Sequence, residues 1–197
     1  MYFSGMDKQI TIINTVVLSD NRYILRKVNY EYTEKDGRRA MQSREVYDRG
    51  NGAVILLYNK QARTVILTRQ FRMPTYLNGN ATGMLIEACA GLLDKDNPEV
   101  AIRRETEEET GYKIGVIEKV FESYMSPGSV TEILYFFTAE YELSMKVGDG
   151  GGLEAEQEEI EVLELSIDRA LEMVKTGEIR DGKTIMLLQH VRLAGIL

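Results

Sequence analysis

The sequence predicts an α/β protein in which a mixed sheet is sandwiched between helices (α/β/α), with a small antiparallel sheet ahead of it. Strand-like runs, alternating or continuously apolar, recur from Ile10 to Leu165. Capped helical segments interrupt and follow them. A chain of 197 residues, 44% of them hydrophobic, is long enough for one domain with a substantial core and a small appendage.

The first strands are expected around Ile10–Leu18, Tyr23–Thr33 and Arg44–Tyr47, with Lys35-Asp36-Gly37 as a hairpin turn. Alone they cannot bury a core, so they are expected to pack on a partner subunit or on the main domain. The expected division is residues 1–50, an N-terminal β region, and residues 51–197, the main domain. Further strands are read at Ala53–Tyr58, Thr64–Phe71 and Met84–Cys89, then near Val116–Tyr124, Glu132–Tyr141 and Ile160–Leu165. One late helix is capped by Ser166 and ended by Gly177, with Ile167, Ala170, Leu171 and Val174 on its apolar face; another runs from Lys183 to Leu193. No internal repeat or long linker is present.

The most informative element is the helix Pro98–Thr110. Asn97 suits its N-cap, Pro98 its first position, Glu99 the positive end of its dipole and Gly111 its end. At about 100° per residue, Ala101, Ile102, Glu105, Glu108 and Glu109 share one half of the wheel, while Arg103, Glu107 and Thr110 take the other. The acids therefore lie on the apolar side. Carboxylates spaced i, i+3 and i+4 repel one another, and at the margin of a core they require a cation. Oxygen ligands in a chain with one histidine and one cysteine point to magnesium, with manganese as the alternative.

Composition removes several function classes. A net charge of −7 argues against general nucleic-acid or anionic-membrane binding, so phosphate must be met locally by metal or arginine. Cys89 stands alone, which excludes an internal disulfide and suits a reducing compartment; its apolar setting reads as a buried structural thiol. His190 is also alone, too little for a histidine-rich zinc site. No apolar run approaches the roughly 18 residues of a membrane span, and the N-terminus is unlike a signal peptide; a soluble cytoplasmic protein is expected. A calcium-binding EF-hand is unsupported, because its loop spacing is absent.

Two further segments carry candidate chemistry. Arg72 follows a strand and suits either a phosphate clamp or a surface ion pair. The stretch Lys146–Glu159, KVGDGGGLEAEQEE, reads as a mobile catalytic loop or a flexible acidic linker, since glycine resists regular structure and its glutamates repel one another.

The run Ala90–Tyr112, AGLLDKDNPEVAIRRETEEETGY, resembles the signature of Nudix hydrolases: Gly91, then Arg104-Glu105, Glu108-Glu109 and Gly111. It departs in a loop one residue shorter between Gly91 and Arg104, which puts the family's first glutamate at Asn97 or Asp96, and in Thr106, where an aliphatic residue is common. The segments SREVYDRGNGAVILLY, RQFRMPTYLNG, YMSPGSVTE and TGEIRDGKT extend the resemblance to nearly the whole chain, within the GDP-mannose pyrophosphatase branch beside the ADP-ribose pyrophosphatases.

That resemblance implies a homodimer that uses a divalent metal to hydrolyse the diphosphate of a nucleotide sugar, GDP-mannose first and ADP-ribose second. A Nudix-fold protein that binds a nucleotide without cleaving it is a different class, which a broken glutamate set would favour. The resemblance assigns metal to Glu105, Glu109, the Ala90 carbonyl and Glu156, with Glu108 assisting; Arg104 braces the glutamates. Glu156 or Glu158 serves the attacking water, with Glu156 favoured. It assigns Arg72, Gly91, Leu92, Glu132 and Lys183 to substrate, and Arg44 and Glu45 to a nucleotide in the neighbouring subunit.

Overall fold

The computed structural model describes residues 10–93, 96–153 and 159–197. Strands β1 (Ile10–Asp20), β2 (Ile24–Thr33) and β3 (Arg39–Asp48) form an antiparallel three-stranded sheet in that order. The β2–β3 turn follows from Gly37, whose φ of +86° is easily reached only without a side chain, and from the Gly37 N–H bonding to the Glu34 carbonyl at 3.0 Å. β3 begins well before the expected Arg44, because hairpin pairing carries polar residues into the ladder.

By its contacts the chain falls into two compact units. The first takes the segment up to Asn51 together with Tyr124–Ile133. Within it Tyr47 pairs with Val130, and the Asn51 side chain accepts from the Ile133 N–H at 2.9 Å.

The second unit is built on a seven-stranded mixed sheet. Its members are β4 (Gly52–Asn59), β5 (Thr64–Phe71), β6 (Met84–Glu87), β7 (Ala90–Leu92), β8 (Glu118–Tyr124), β9 (Ile133–Glu140) and β10 (Glu161–Ser166). The main path runs β10-β5-β4-β9-β8; β6 pairs with β5, β7 with β4, and β4 runs parallel to β9. Residues Gly52–Leu57 are buried, as a central strand covered on both faces requires. Ala53, Ile55 and Leu57 meet Ile102, Phe137 and Tyr141 on the face covered by helix α2 (Pro98–Thr110). Val54 and Leu56 alternate to the other face, where α3 (Ile167–Thr176) packs on α4 (Gly182–Leu193) and α4 on β4.

Two details depart from the sequence reading. The apolar run Met84–Cys89 is split, β6 ending at Glu87 and β7 starting at Ala90 on a different neighbour. A five-residue helix α1 (Met73–Leu77), none of it buried, follows Arg72. Among the described residues no helix is long and apolar enough to cross a membrane.

Candidate active site

Helix α2 is bounded as its sequence predicts. The Asn97 side chain accepts from the Val100 N–H at 2.9 Å, and Gly111 ends the helix at φ +75°. The buried residues are Ala101, Ile102, Thr106, Glu109 and Thr110, which corrects the wheel at its last member. Thr110 is covered because residues 147–152 return over the final turn. Thr106 tolerates burial where an aliphatic residue is usual, since its hydroxyl donates to the Ile102 carbonyl at 2.6 Å.

The three glutamates have different surroundings. Glu105 lies against the backbone of β7: a β-carbon on Gly91 would collide with its carboxyl group. Glu109 is 2% exposed and faces the buried thiol of Cys89, which burial and then the Glu109 carboxylate push well above the ordinary cysteine range. Glu108 is half-buried and 4.0 Å from Arg104 Nε. Arg104 also pairs with Glu105 at 3.2 Å and Asp96 at 3.3 Å, so one guanidinium braces the acids of the helix and its entry loop. These contacts hold the Arg104 proton more firmly, the Glu105 hydrogen bond most of all.

Among the described residues, no three His, Cys, Asp or Glu side chains gather closely enough to hold a metal ion by themselves. The donor set nevertheless suits a hard divalent ion. Glycine at position 91 lets the Glu105 carboxylate settle against the β7 backbone, and carboxylate oxygens are the ligands that a hard divalent ion takes. Glu156 and its alternative Glu158 lie outside the described residues.

The segment leading toward them is tightly placed. The Val147 N–H donates to the Gly111 carbonyl at 2.8 Å, Gly151 N–H to Glu109 at 2.9 Å and Gly152 N–H to Glu108 at 3.2 Å. These bonds satisfy carbonyls that the end of a helix leaves open. A β-carbon on Gly150 would run into the Glu109 and Thr110 backbone. Glycine at position 150 therefore permits close approach to α2.

A second group in the same unit joins residues far apart in sequence. Arg72 Nε donates to Glu87 Oε2 at 2.6 Å, and Lys183 Nζ pairs with Glu87 Oε1. Lys183 also lies 3.0 Å from Asp181, whose carboxylate caps α4 by accepting from the Thr184 N–H at 2.9 Å. The Thr184 hydroxyl in turn accepts from the Ala88 N–H at 2.7 Å, fastening α4 to the β6–β7 connection. Arg72 and Lys183 are among the residues expected at the substrate, whereas Glu87, one acid in an apolar run, is not. From Glu87 to Gly91 the chain advances four residues, at most about 14 Å. One short segment therefore connects the cation pair with the glutamate cradle. Leu92, also expected at the substrate, follows in β7 and is half-buried.

Three other expected residues belong to the first unit. Arg44 and Glu45 are exposed neighbours on β3, so their side chains leave opposite faces of the three-stranded sheet. Glu132 is mostly buried and ion-paired with Arg49 at 3.6 Å.

Comparison with known proteins gives these features a family. Residues 9–47 match the model of the GDP-mannose pyrophosphatase NudK N-terminal domain, and residues 48–188 match that of the NUDIX domain. Curated relatives from Escherichia coli O1:K1 and Shigella dysenteriae serotype 1, both named GDP-mannose pyrophosphatase, are 56% identical over 192 residues, 98% of this chain and all of theirs. A crystal structure of an ADP compounds hydrolase shares the fold with a TM-score of 0.70 at 18% identity, covering 96% of this chain and 95% of that one. With the NUDIX model spanning most of the chain and the Gly91–Glu105 cradle in place, the protein belongs to the Nudix hydrolase family.

Proposed function

We propose that this chain is a metal-dependent pyrophosphatase of nucleotide sugars, with GDP-mannose cleaved to GMP and mannose 1-phosphate. The observation that carries the reading is the Glu105 carboxylate set against Gly91 in a chain 56% identical to relatives named GDP-mannose pyrophosphatase. Glu105, Glu109 and the Ala90 carbonyl hold a divalent ion, magnesium before manganese, with Glu108 assisting. When bound, the ion neutralises phosphate charge and acidifies a coordinated water.

The chain's own groups do the rest. Arg104 keeps the carboxylates apart and oriented through its pairs with Glu105, Glu108 and Asp96. Arg72 and Lys183 meet the diphosphate, with Gly91 and Leu92 lining its path. Glu156 takes a proton from the attacking water, whose oxygen adds to one phosphorus as the bridging P–O bond breaks. Both products leave as phosphate monoesters. Glu132 contacts the substrate, and Arg44 and Glu45 reach a nucleotide in the neighbouring subunit.

A homodimer formed through the N-terminal β region suits β1, where Ile10, Ile12, Ile13, Val16, Val17 and Leu18 are all exposed. A cytoplasmic setting suits the free, buried thiol of Cys89. The test is turnover of a panel containing GDP-mannose, ADP-ribose and other nucleotide sugars with magnesium or manganese, read as phosphate released after phosphatase treatment. GDP-mannose is expected to be fastest. Faster ADP-ribose cleavage replaces the substrate, and binding without cleavage overturns the enzymatic reading. Sedimentation at micromolar concentration is expected to give a dimer.

A further inference from the structure

Glu87 is an acid in the middle of the apolar run MLIEACA, and its side chain is only 5% exposed. A carboxylate taken out of water at that depth is strongly unfavourable unless cations meet it. One cation would meet that need, yet Glu87 engages two, Arg72 on one oxygen and Lys183 on the other.

Lys183 is the second residue of α4, at the positive end of that helix, where an ammonium group is disfavoured. Arg72 is 40% exposed and spends only Nε on Glu87; among the described residues its two terminal amino groups make no hydrogen bond. A guanidinium anchored through Nε presents that planar pair, the geometry that recognises phosphate oxygens, to whatever lies beyond. The two cations come from segments 111 residues apart, and among the described residues Glu87 is the side chain that engages both.

We propose that Glu87 is a positioning residue that fixes Arg72 and Lys183 as a two-cation clamp for the diphosphate of the substrate. The inference rests on the reading above that Arg72 and Lys183 meet that diphosphate. Asp181 supports the clamp from the α4 side, being held by Thr184 while it pairs with Lys183.

The test is a mutant cycle in steady-state kinetics on the full chain, with magnesium and GDP-mannose, or ADP-ribose if that is the faster substrate. R72M and K183M are each expected to raise KM about tenfold, and E87Q to raise it about as much with kcat within roughly threefold of wild type. In the R72M/K183M double variant, E87Q is expected to change KM by less than about twofold, because the groups it acts through are gone. A purely structural acid would instead give the same factor in both backgrounds, and that result overturns the proposal while leaving the substrate reading intact. Wild-type KM in R72M and K183M overturns the substrate reading and the proposal together. E87D, which keeps the charge but withdraws it by one methylene, carries the same cycle if E87Q does not fold.

Discussion

The carboxyl group of Glu105 lies where the β-carbon of any residue other than glycine would stand at position 91. A strand backbone and a helix side chain thereby become neighbours without a spacer. For Gly91→Ala, whose backbone is not in the left-handed region, the expected outcome is a folded protein with Glu105 displaced. A misplacement of about 1 Å at a reacting centre costs on the order of 100-fold, so kcat should fall by about that factor and the magnesium requirement should rise. Activity measured against magnesium concentration checks it, with circular dichroism as the control for folding.

Glu109→Gln removes the charge of the proposed metal ligand while conserving shape at a position 2% exposed. The expected loss in kcat is about 1,000-fold or more, with the fold intact. Near-normal turnover would take Glu109 out of the metal site.

Gly150→Ala should be destabilising and Gly148→Ala neutral, although both lie in the same glycine-rich stretch. Gly150 has φ +71° and abuts the Glu109 and Thr110 backbone, whereas nothing lies within 4 Å of a β-carbon on Gly148. A loss of about 2 kcal/mol at Gly150 would lower Tm by roughly 4–8 °C, while the Gly148 variant should stay within about 0.5 kcal/mol of wild type. Thermal melts of the two variants decide it.

Tyr141 gives stability a dependence on alkaline pH. Its ring is fully buried, and its hydroxyl lies 2.6 Å from Thr64 Oγ1 and 2.7 Å from Glu164 Oε1. Burial first, then the Glu164 carboxylate, raise its pKa well above the ordinary tyrosine range, against the opposing effect of Thr64. The folded protein therefore keeps a proton that the unfolded chain releases above about pH 10, so this contribution is complete below that pH and is lost as pH rises further. Urea unfolding from pH 8 to 11 should show wild-type stability declining above about pH 10 and Y141F declining less steeply, with Y141F about 1 kcal/mol weaker at pH 8 from the lost hydrogen bond. Parallel curves would contradict the assignment.

What the sequence revealed depended on whether the governing interaction was local. The caps Asn97 and Ser166, the terminators Gly111 and Gly177, and the apolar run of β4 act within a few residues, and each could be read directly. The acidic face of α2 was legible for the same reason, apart from Thr110, whose cover comes from a segment some 40 residues later. Glu87 was not legible. Its meaning lies in a lysine 96 residues away, and in a sequence an acid within a strand looks the same whether or not a cation awaits it. Gly150 was not legible for a related reason: composition records freedom in the unfolded chain, while the fold uses the missing side chain for proximity to Glu109 and Thr110.

The Gly151 carbonyl accepts from the Ile160 N–H at 3.1 Å, and the Gly152 N–H is tied to α2. Gly151 and Gly152 thus moor both Ile160 and the end of α2 through backbone atoms alone. Bonds of that kind use an N–H that every residue but proline carries and a carbonyl that all carry, so they persist whatever side chains stand beside them. The tie between Ile160 and the last turn of α2 is therefore indifferent to side-chain identity, so chemistry can vary alongside it while the anchorage stays.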